Sequence, residues 1–316
     1  MMAARVRVRS LAKINLDLRV LHKRPDGFHE LRTIFQTVSL ADTIEIEYRP
    51  GRSQIEINCD INIPGNVIVK AADSVLAATG KTGRIRFVLK KRIPLGGGLG
   101  GGSSNAAAVL LALPVLLKRP LGMEKLMELA ALLGSDVPFF LLGGTAVGLG
   151  RGTELYPLPD LPSLPGLMIT PGIHVSTADA YRALDRGLTS EGYRNDFQAV
   201  TWKVSEGYEN DFESVVFRQH SHLKLIKGKL LNLGARPALM SGSGSTIFGI
   251  FASRRLRDRA AGGFRREFAA GQVHPVWLVR RSQYRALWRR QLGLASGNKS
   301  VDSKLWPWQS QDRYAK

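Results

Sequence analysis

The sequence has a single cysteine, Cys59, among 316 residues. One thiol cannot form a disulfide framework, and it cannot build a cysteine-based zinc site. The six histidines contain one close pair, His220 and His222, which is more typical of a solvated helix than of a metal centre. We therefore expect neither a disulfide-stabilised nor a zinc-dependent protein.

Long apolar runs are also missing. The longest, Ala106–Leu117 and Val137–Leu142, are shorter than the roughly 18 residues that span a bilayer. Residues 1–10 carry three arginines and lack the apolar segment of a secretory signal. These features predict a cytoplasmic protein that does not associate with membranes.

Acidic residues are scarce, with 26 Asp and Glu against 45 Lys and Arg, so the formal net charge is +19. Such an excess suits nucleic acid, an anionic membrane or a highly phosphorylated small molecule. Eleven arginines lie within residues 253–293, interleaved with apolar residues as on amphipathic elements. Because no RNA-binding aromatic signature or helix-turn-helix pattern accompanies them, the sequence disfavours nucleic acid as the main partner. A nucleic-acid-binding protein stays a weaker alternative to a small-molecule enzyme with a basic surface.

The apolar periodicity predicts an α+β protein in two halves. Four prolines within residues 157–165 indicate the connection between the halves. Residues 295–316 are polar and aperiodic, so we expect a disordered tail there. In the first half, strands are predicted around residues 6–20, 44–48, 55–59, 85–89 and 145–152, and helices over 66–78, 103–117 and 123–133. In the second half, strands are predicted over 167–170, on both sides of 241–245 and over 273–280, and helices from 176, over 211–218, 223–233 and 254–270.

A glycine-rich segment, PLGGGLGGGSSNAA at residues 94–107, follows a predicted strand and leads into a helix. Glycine has no Cβ and permits positive φ, so successive backbone amides can converge on one anion. The following helix adds its unpaired N–H groups and positive dipole end. Ser103 and Ser104 could cap this helix or offer a hydroxyl group to a phosphate or Mg²⁺. The segment therefore predicts a phosphate-binding loop.

The spacing of this loop separates several kinds of phosphate site. The P-loop pattern is absent because no lysine follows the glycines. The dinucleotide pattern G-x-G-x-x-G matches at Gly96, Gly98 and Gly101, but residues 106–123 contain no acidic side chain to hold a ribose. A dinucleotide oxidoreductase is therefore a weaker alternative.

Three further segments accompany the glycine loop: LAKINL at 11–16 with RPDGFH at 24–29, LGSDVPFF at 133–140, and MSGSGST at 240–246. Together, in this order and spacing over residues 5–285, they resemble the motifs of the GHMP kinases, the superfamily of galactokinase, homoserine kinase and mevalonate kinase. The resemblance implies a two-lobed GHMP-kinase-like fold with the active-site cleft between the lobes. Residues 1–157 would form the ATP-binding domain and residues 158–290 the C-terminal domain.

The resemblance also implies the chemistry, which is ATP- and Mg²⁺-dependent phosphorylation of a small molecule. Asp136 would be the catalytic base, and Lys13 would keep it ionised and stabilise developing negative charge. On pattern alone, Asp136 before Val-Pro-Phe-Phe is typical of a helix N-cap, and Lys13 of a solvated strand position. ATP-binding roles are implied for Gly96, Gly97, Gly98, Leu99, Gly100, Gly101, Gly102, Ser103, Ser104 and Asn66.

The segment Asp26-Gly27-Phe28-His29 resembles members whose acceptor is a cytidine diphosphate-linked polyol of isoprenoid precursor synthesis. The ring of Phe28 would contact the base, Tyr181 would lie on its other side, and His29 would bond its edge. The family more often has tyrosine where Phe28 stands. Homoserine or mevalonate remains an alternative acceptor, and neither metal ligands nor an oligomeric state is predicted. Substrate-binding roles are implied for Asn15, Phe28, His29, Tyr181, Gly242, Ser243 and Gly244.

Overall fold

The computed structural model describes residues 4–185, 207–269 and 271–293, which form two lobes, each built on one β-sheet. The first lobe contains β1 (Ala4–Lys23), β2 (His29–Pro50), β3 (Gln54–Cys59), α1 (Val67–Thr79), β4 (Gly83–Lys90), α2 (Gly101–Leu116), α3 (Met123–Leu133), α4 (Phe139–Leu142), β5 (Thr145–Gly150) and β6 (Glu154–Pro157). The second contains β7 (Pro165–Ile169), α5 (Thr177–Asp185), α6 (Phe212–Gln219), α7 (Ser221–Asn232), β8 (Ala238–Met240), β9 (Ile247–Ile250), α8 (Arg254–Phe264) and β10 (Val273–Trp277). A last helix, α9 (Arg281–Gln291), follows β10.

The two sheets differ in strand direction. In the first lobe the order is β3-β4-β2-β5-β6, with β1 beside β2, and β3 runs parallel to β4 while the other pairs are antiparallel. The second sheet has the order β10-β7-β9-β8 and is antiparallel throughout. The proline-rich residues 157–165 connect β6 to β7, so the chain changes sheets where the sequence predicted a connection. The domain limits at residues 157 and 290 stay predictions.

Strand β1 belongs to both lobes. Ile14 packs in a hydrophobic cluster that contains residues of both sheets, and Leu18 packs in the core of the second lobe. The register of β1 against β2 shifts on either side of Lys13–Asn15. Such bulges redirect side chains within a strand. Two polar side chains, Lys13 and Asn15, are consequently buried where the lobes meet.

Helix α1 begins and ends as the sequence predicted. The side-chain oxygen of Asn66 accepts a hydrogen bond from the backbone N–H of Ile68 at 3.1 Å, which is a helix N-cap. Gly80 ends the helix in the left-handed conformation, with φ of +63°. Helix α2 is different, because residues 104–114 are all buried and no polar face remains. Helix α2 therefore lies at the centre of the first lobe.

Some elements were missed or misplaced by sequence reasoning. The predicted strand over 273–280 ends at Trp277, and the helix predicted over 254–270 ends at Phe264. Helices α4 and α9 were not predicted. Helix α9 buries Tyr284 and Trp288, one turn apart, in the core of the first lobe, and the arginines around them concealed this pattern. The predicted tail, 295–316, lies outside the described residues.

None of the helices in the described ranges is long and apolar enough to cross a membrane.

Candidate active site

The glycine loop has left-handed backbone at every second position. The φ angles of Gly96, Gly98 and Gly100 are +65°, +74° and +66°. This region favours glycine, and its alternation with other conformations turns neighbouring amides toward one point. Helix α2 begins at Gly101, immediately after the loop, so its N-terminal N–H groups face the same region. The loop has the backbone form that an anion site requires.

The two serines that follow the glycines do not cap helix α2, because the N-cap is Gly100. The hydroxyl group of Ser104 donates to the backbone oxygen of Leu11 at 2.6 Å, and its N–H donates to the oxygen of Gly100 at 2.8 Å. Ser104 is buried against β1. The Ser104 proton is thus used within the fold, and contact of Ser104 or of half-buried Ser103 with a phosphate or Mg²⁺ stays a prediction.

The second glycine motif meets the first across the lobes. The hydroxyl group of Ser241 donates to the backbone oxygen of Gly98 at 2.9 Å. A Cβ atom on Gly98 would lie 2.0 Å from the Ser241 oxygen, and one on Gly242 would lie 3.2 Å from the Gly98 Cα. Asn210 braces this motif by donating to the backbone oxygens of Met240 and Gly242 at 2.8 and 2.7 Å. Glycine is thus required here for close backbone approach.

Lys13 and Asp136 form an ion pair beside the glycine loop. The Nζ atom of Lys13 lies 3.3 Å from Oδ2 of Asp136, and the backbone N–H of Lys13 donates to the Leu99 oxygen at 3.1 Å. The Lys13 side chain is 4% exposed, whereas that of Asp136 is 33% exposed. Helix α4 has Pro138 at its N-cap, so Asp136 is not the cap that its sequence context favoured. The arrangement places an accessible carboxylate in front of a buried ammonium group.

Asn15 orients the buried lysine. Its Oδ1 atom accepts from Lys13 Nζ at 2.6 Å, and its Nδ2 donates to the Thr33 hydroxyl at 2.7 Å. The Thr33 hydroxyl in turn donates to the backbone oxygen of Asp17 at 2.8 Å. Both ends of the Asn15 amide are occupied, and contact with a substrate stays a prediction.

Two of the residues predicted to bind the base lie together. The rings of His29 and Tyr181 stack with centroids 4.4 Å apart and planes inclined by 18°. Burial raises the pKa of Tyr181 to about 12, and the negative charge of Asp136 adds to this shift. Asp136 is thus close enough to influence the Tyr181 hydroxyl group electrostatically. The structure therefore brings predicted base-binding residues near the predicted catalytic carboxylate.

Phe28 does not share this stack. Its side chain is 47% exposed, and the guanidinium carbon of Arg151 lies 3.5 Å from its ring centroid. His29 covers one face of Tyr181, so these two rings leave no gap for a base between them. A base held between Phe28 and Tyr181 stays a prediction.

Several residues of the site were missed because they lie outside the recognised motifs. Arg151 contacts Phe28, Asp185 contacts His29, and the hydroxyl group of Thr177 lies 2.8 Å from that of Ser243. No spacing in the sequence singles these residues out.

A cavity of about 710 Å³ adjoins the glycine loop. Its wall includes Lys91, Arg92 and Leu95 from the first lobe and His174 and His274 from the second. The cavity combines cationic and apolar surface next to the predicted phosphate site. Asn66, predicted to lie near the nucleotide, caps α1 and is not part of this wall.

Known proteins match the chain over both lobes. The family models for the GHMP kinases N terminal domain and for GHMP kinases C terminal match residues 66–144 and 190–270. A protein of Solibacter usitatus, named 4-diphosphocytidyl-2-C-methyl-D-erythritol kinase, is 53% identical over 313 residues, 96% of each chain. The chain belongs to the GHMP kinase family. As a GHMP kinase it is an ATP-dependent small-molecule kinase, which confirms the predicted enzyme class.

Other relatives of this GHMP kinase agree. A protein of the same name from Syntrophus aciditrophicus is 42% identical, over 78% of this chain and 90% of its own. A crystal structure of 4-(cytidine 5′-diphospho)-2C-methyl-D-erythritol kinase matches with a TM-score of 0.73 and 39% identity, over 86% of this chain and 98% of that one. Homoserine kinase from Cytophaga hutchinsonii has a TM-score of 0.62 and 20% identity, over 89% and 96%, and shares the fold. The predicted two-lobed GHMP kinase fold is confirmed.

Proposed function

We propose that this GHMP kinase transfers the γ-phosphoryl group of ATP to the 2-hydroxyl group of 4-diphosphocytidyl-2-C-methyl-D-erythritol, a step of non-mevalonate isoprenoid precursor synthesis. The observation that carries the proposal is a chain of contacts: the glycine loop bonds to Lys13, Lys13 pairs with Asp136, and the charge of Asp136 acts on Tyr181, which stacks on His29. These groups would line one cleft. The names of the relatives that align over most of the chain support the choice of acceptor. A cytoplasmic location belongs to the proposal, because the reaction consumes ATP.

The glycine loop, Lys13 and Asp136 would form the transfer end of the cleft. Phosphoryl transfer needs positioning and charge stabilisation more than covalent chemistry. Asp136 is accessible, so its carboxylate would accept a hydrogen bond from the acceptor hydroxyl group and take its proton. Lys13, held by Asn15, would stabilise negative charge as it develops on the oxygens. The N–H groups of residues 96–103 would bind the ATP phosphates.

Mg²⁺ would bind at this site together with the phosphates of the nucleotide. Within the part of the chain that the structure describes, no group of three His, Cys, Asp or Glu side chains could hold a metal ion. Mg²⁺ is commonly held by one or two carboxylates together with substrate phosphates. When bound, the ion would neutralise charge on the phosphates.

At the base end, His29 offers a hydrogen-bonding edge, and its stack with Tyr181 provides aromatic surface. These are the groups that recognise a pyrimidine ring. Phe28, on the turn that precedes β2, would add a second aromatic contact. The proposed acceptor carries such a ring at one end and the reacting hydroxyl group at the other.

The test uses the full chain, labelled ATP and the proposed acceptor. We expect label transfer, and we expect Asp136→Asn to lower kcat by roughly 10²- to 10⁴-fold with little change in KM, because the amide keeps the shape and loses the base. Asp73→Asn, at an exposed position of α1, is the matched control and should leave kcat unchanged.

Two results would overturn the proposal. One is transfer to homoserine or mevalonate in place of the cytidine compound when the acceptors compete. The other is full activity of the Asp136→Asn variant.

A further inference from the structure

The last residue of helix α5, Asp185, is paired with His29, which is predicted to bond the edge of the base. Its Oδ1 atom lies 2.7 Å from Nε2 of His29, and its Oδ2 atom lies 3.7 Å from Nζ of Lys23. The His29 side chain is 8% exposed and that of Asp185 is 26% exposed. The contact joins residues 156 positions apart in the sequence and links the start of β2 to the second lobe. Nothing in the proposed function uses this carboxylate.

A carboxylate accepts hydrogen bonds, so this contact places a proton on Nε2 of His29. A neutral imidazole with its proton on Nε2 carries a lone pair on Nδ1. The partner of one ring nitrogen thus decides what the other can do. Among the described residues, Nδ1 of His29 has no hydrogen-bond partner, which leaves it for a ligand.

The ring planes also restrict where a ligand lies. The imidazole of His29 is nearly parallel to the ring of Tyr181, with an inclination of 18°. A base that bonds edge-on to Nδ1 lies close to the plane of the imidazole. It therefore lies nearly parallel to the ring of Tyr181 as well.

We propose that Asp185 is a positioning residue that makes His29 an acceptor for the exocyclic amine of cytosine and so selects cytosine over uracil. This inference rests on the proposed function. Uracil carries a carbonyl oxygen where cytosine carries the amine, so the Nδ1 lone pair would face another acceptor. A site built for one hydrogen bond rejects a ligand that leaves its buried polar group unpaired. A proton on Nδ1 would reverse the preference.

The kinetic test compares kcat/KM for the cytidine-linked acceptor and for its uridine counterpart. In Asp185→Asn, the amide N–H can donate to Nε2 and move the imidazole proton to Nδ1. We expect the cytidine-to-uridine ratio of kcat/KM to fall about tenfold or more. The matched control is Asp179→Asn on the same helix, where an exposed carboxylate pairs with Arg182, and its ratio should equal that of the wild type. An unchanged ratio in Asp185→Asn overturns the proposal.

A spectroscopic readout tests the tautomer directly. Nitrogen-15 NMR of the full wild-type chain with cytidine diphosphate at neutral pH should show His29 neutral with its proton on Nε2, the resonances being assigned through His29→Gln. A proton on Nδ1, or on both nitrogens, overturns the proposal. This measurement on the wild type decides even where the Asp185→Asn variant fails to fold.

The two proposals fail in different ways. Absence of phosphoryl transfer to the cytidine compound by the wild type removes the proposed function. The tautomer of His29 and the relative affinities for cytidine and uridine diphosphate still decide the role of Asp185. Equal affinities for the two diphosphates count against that role.

Discussion

The transfer end and the base end of the cleft are built in different ways. The transfer end comprises residues 96–102, Lys13, Asp136 and residues 241–244, and its close contacts involve backbone atoms from both lobes. The base end comprises Phe28, His29, Tyr181 and Asp185, and its contacts join side chains. Lys13 is 4% exposed at one end, whereas Phe28 is 47% exposed at the other.

This difference explains how kinases of one fold can phosphorylate different acceptors. A transferred phosphoryl group is the same for every kinase of this fold, so a fixed backbone can hold it. The acceptor differs between relatives, and side chains on a turn and a helix can change without altering the sheets. The comparison predicts that substitutions where the two backbones touch damage folding and chemistry together, while removal of an exposed side chain at the base end changes affinity more than folding.

The largest stability effect is expected at Gly98. In Gly98→Ala, the new methyl group would meet the Ser241 carbonyl oxygen at 2.0 Å, with φ at +74°. Neither backbone can move without separating the lobes. We expect the free energy of unfolding to fall by about 3 kcal/mol, measured by urea denaturation, with loss of kinase activity.

Gly102→Ala, four residues further along the glycine-rich segment, is the control for stability. A Cβ atom there has no neighbour within 4 Å, and the residue lies in the first turn of α2. Alanine favours helix more than glycine does, so the free energy of unfolding should rise by less than about 1 kcal/mol. Equal losses in the two variants would show that close backbone approach is not what Gly98 provides.

A smaller effect, confined to binding, is expected at Phe28. In Phe28→Ala, loss of the aromatic contact should raise KM for the cytidine-linked acceptor about tenfold, because stacking of a base on an aromatic ring contributes about 1–3 kcal/mol. Steady-state kinetics should show kcat and KM for ATP nearly unchanged.

Tyr156→Ala, at a 54% exposed aromatic residue of β6, should change none of these constants. A loss of kcat in Phe28→Ala with unaltered KM would mean that the two ends of the cleft do not act separately.

Local features of the fold were predictable because their causes are local. Asn66 and Gly80 limit α1 through contacts within a few residues, and the glycine loop is evident from its composition. Lys13 and Asp136 were identified by resemblance to a family. Their side chains lie 3.3 Å apart, and their catalytic roles stay predictions. A sequence pattern reflects interactions between residues that are close along the chain, and such interactions determine these features.

The remainder depended on contacts between distant residues. The Asp185–His29 contact spans 156 positions, and no pattern in the sequence around either residue predicts it. Ser104 follows the glycine loop, where the sequence suggested a phosphate-binding hydroxyl group. Its side chain bonds to the Leu11 oxygen because β1 lies against α2. Helix α9 was hidden since its arginines outnumber the two aromatic residues that it buries. Tertiary packing decides such cases.

The smallest expected effect concerns a histidine near the transfer end. His274 lies in the wall of the cavity, and its Nε2 atom is 3.0 Å from the Thr170 hydroxyl group. Burial lowers the pKa of His274 from its ordinary value of 6.5. The unfolded chain then binds a proton more readily than the folded chain does. The stability contributed by neutral His274 is therefore complete above about pH 6.5 and is lost as the pH falls through the folded pKa.

The readout is the free energy of unfolding between about pH 7 and about pH 5.5. The wild type should lose up to about 1 kcal/mol more than His274→Gln over this range, since glutamine cannot take up the proton. Burial raises the pKa values of Asp211 and Glu213, which shifts stability in the opposite sense on acidification. Both carboxyl groups are present in wild type and variant, so the difference between the two curves isolates His274. Parallel curves would show that this histidine is solvated in the folded protein.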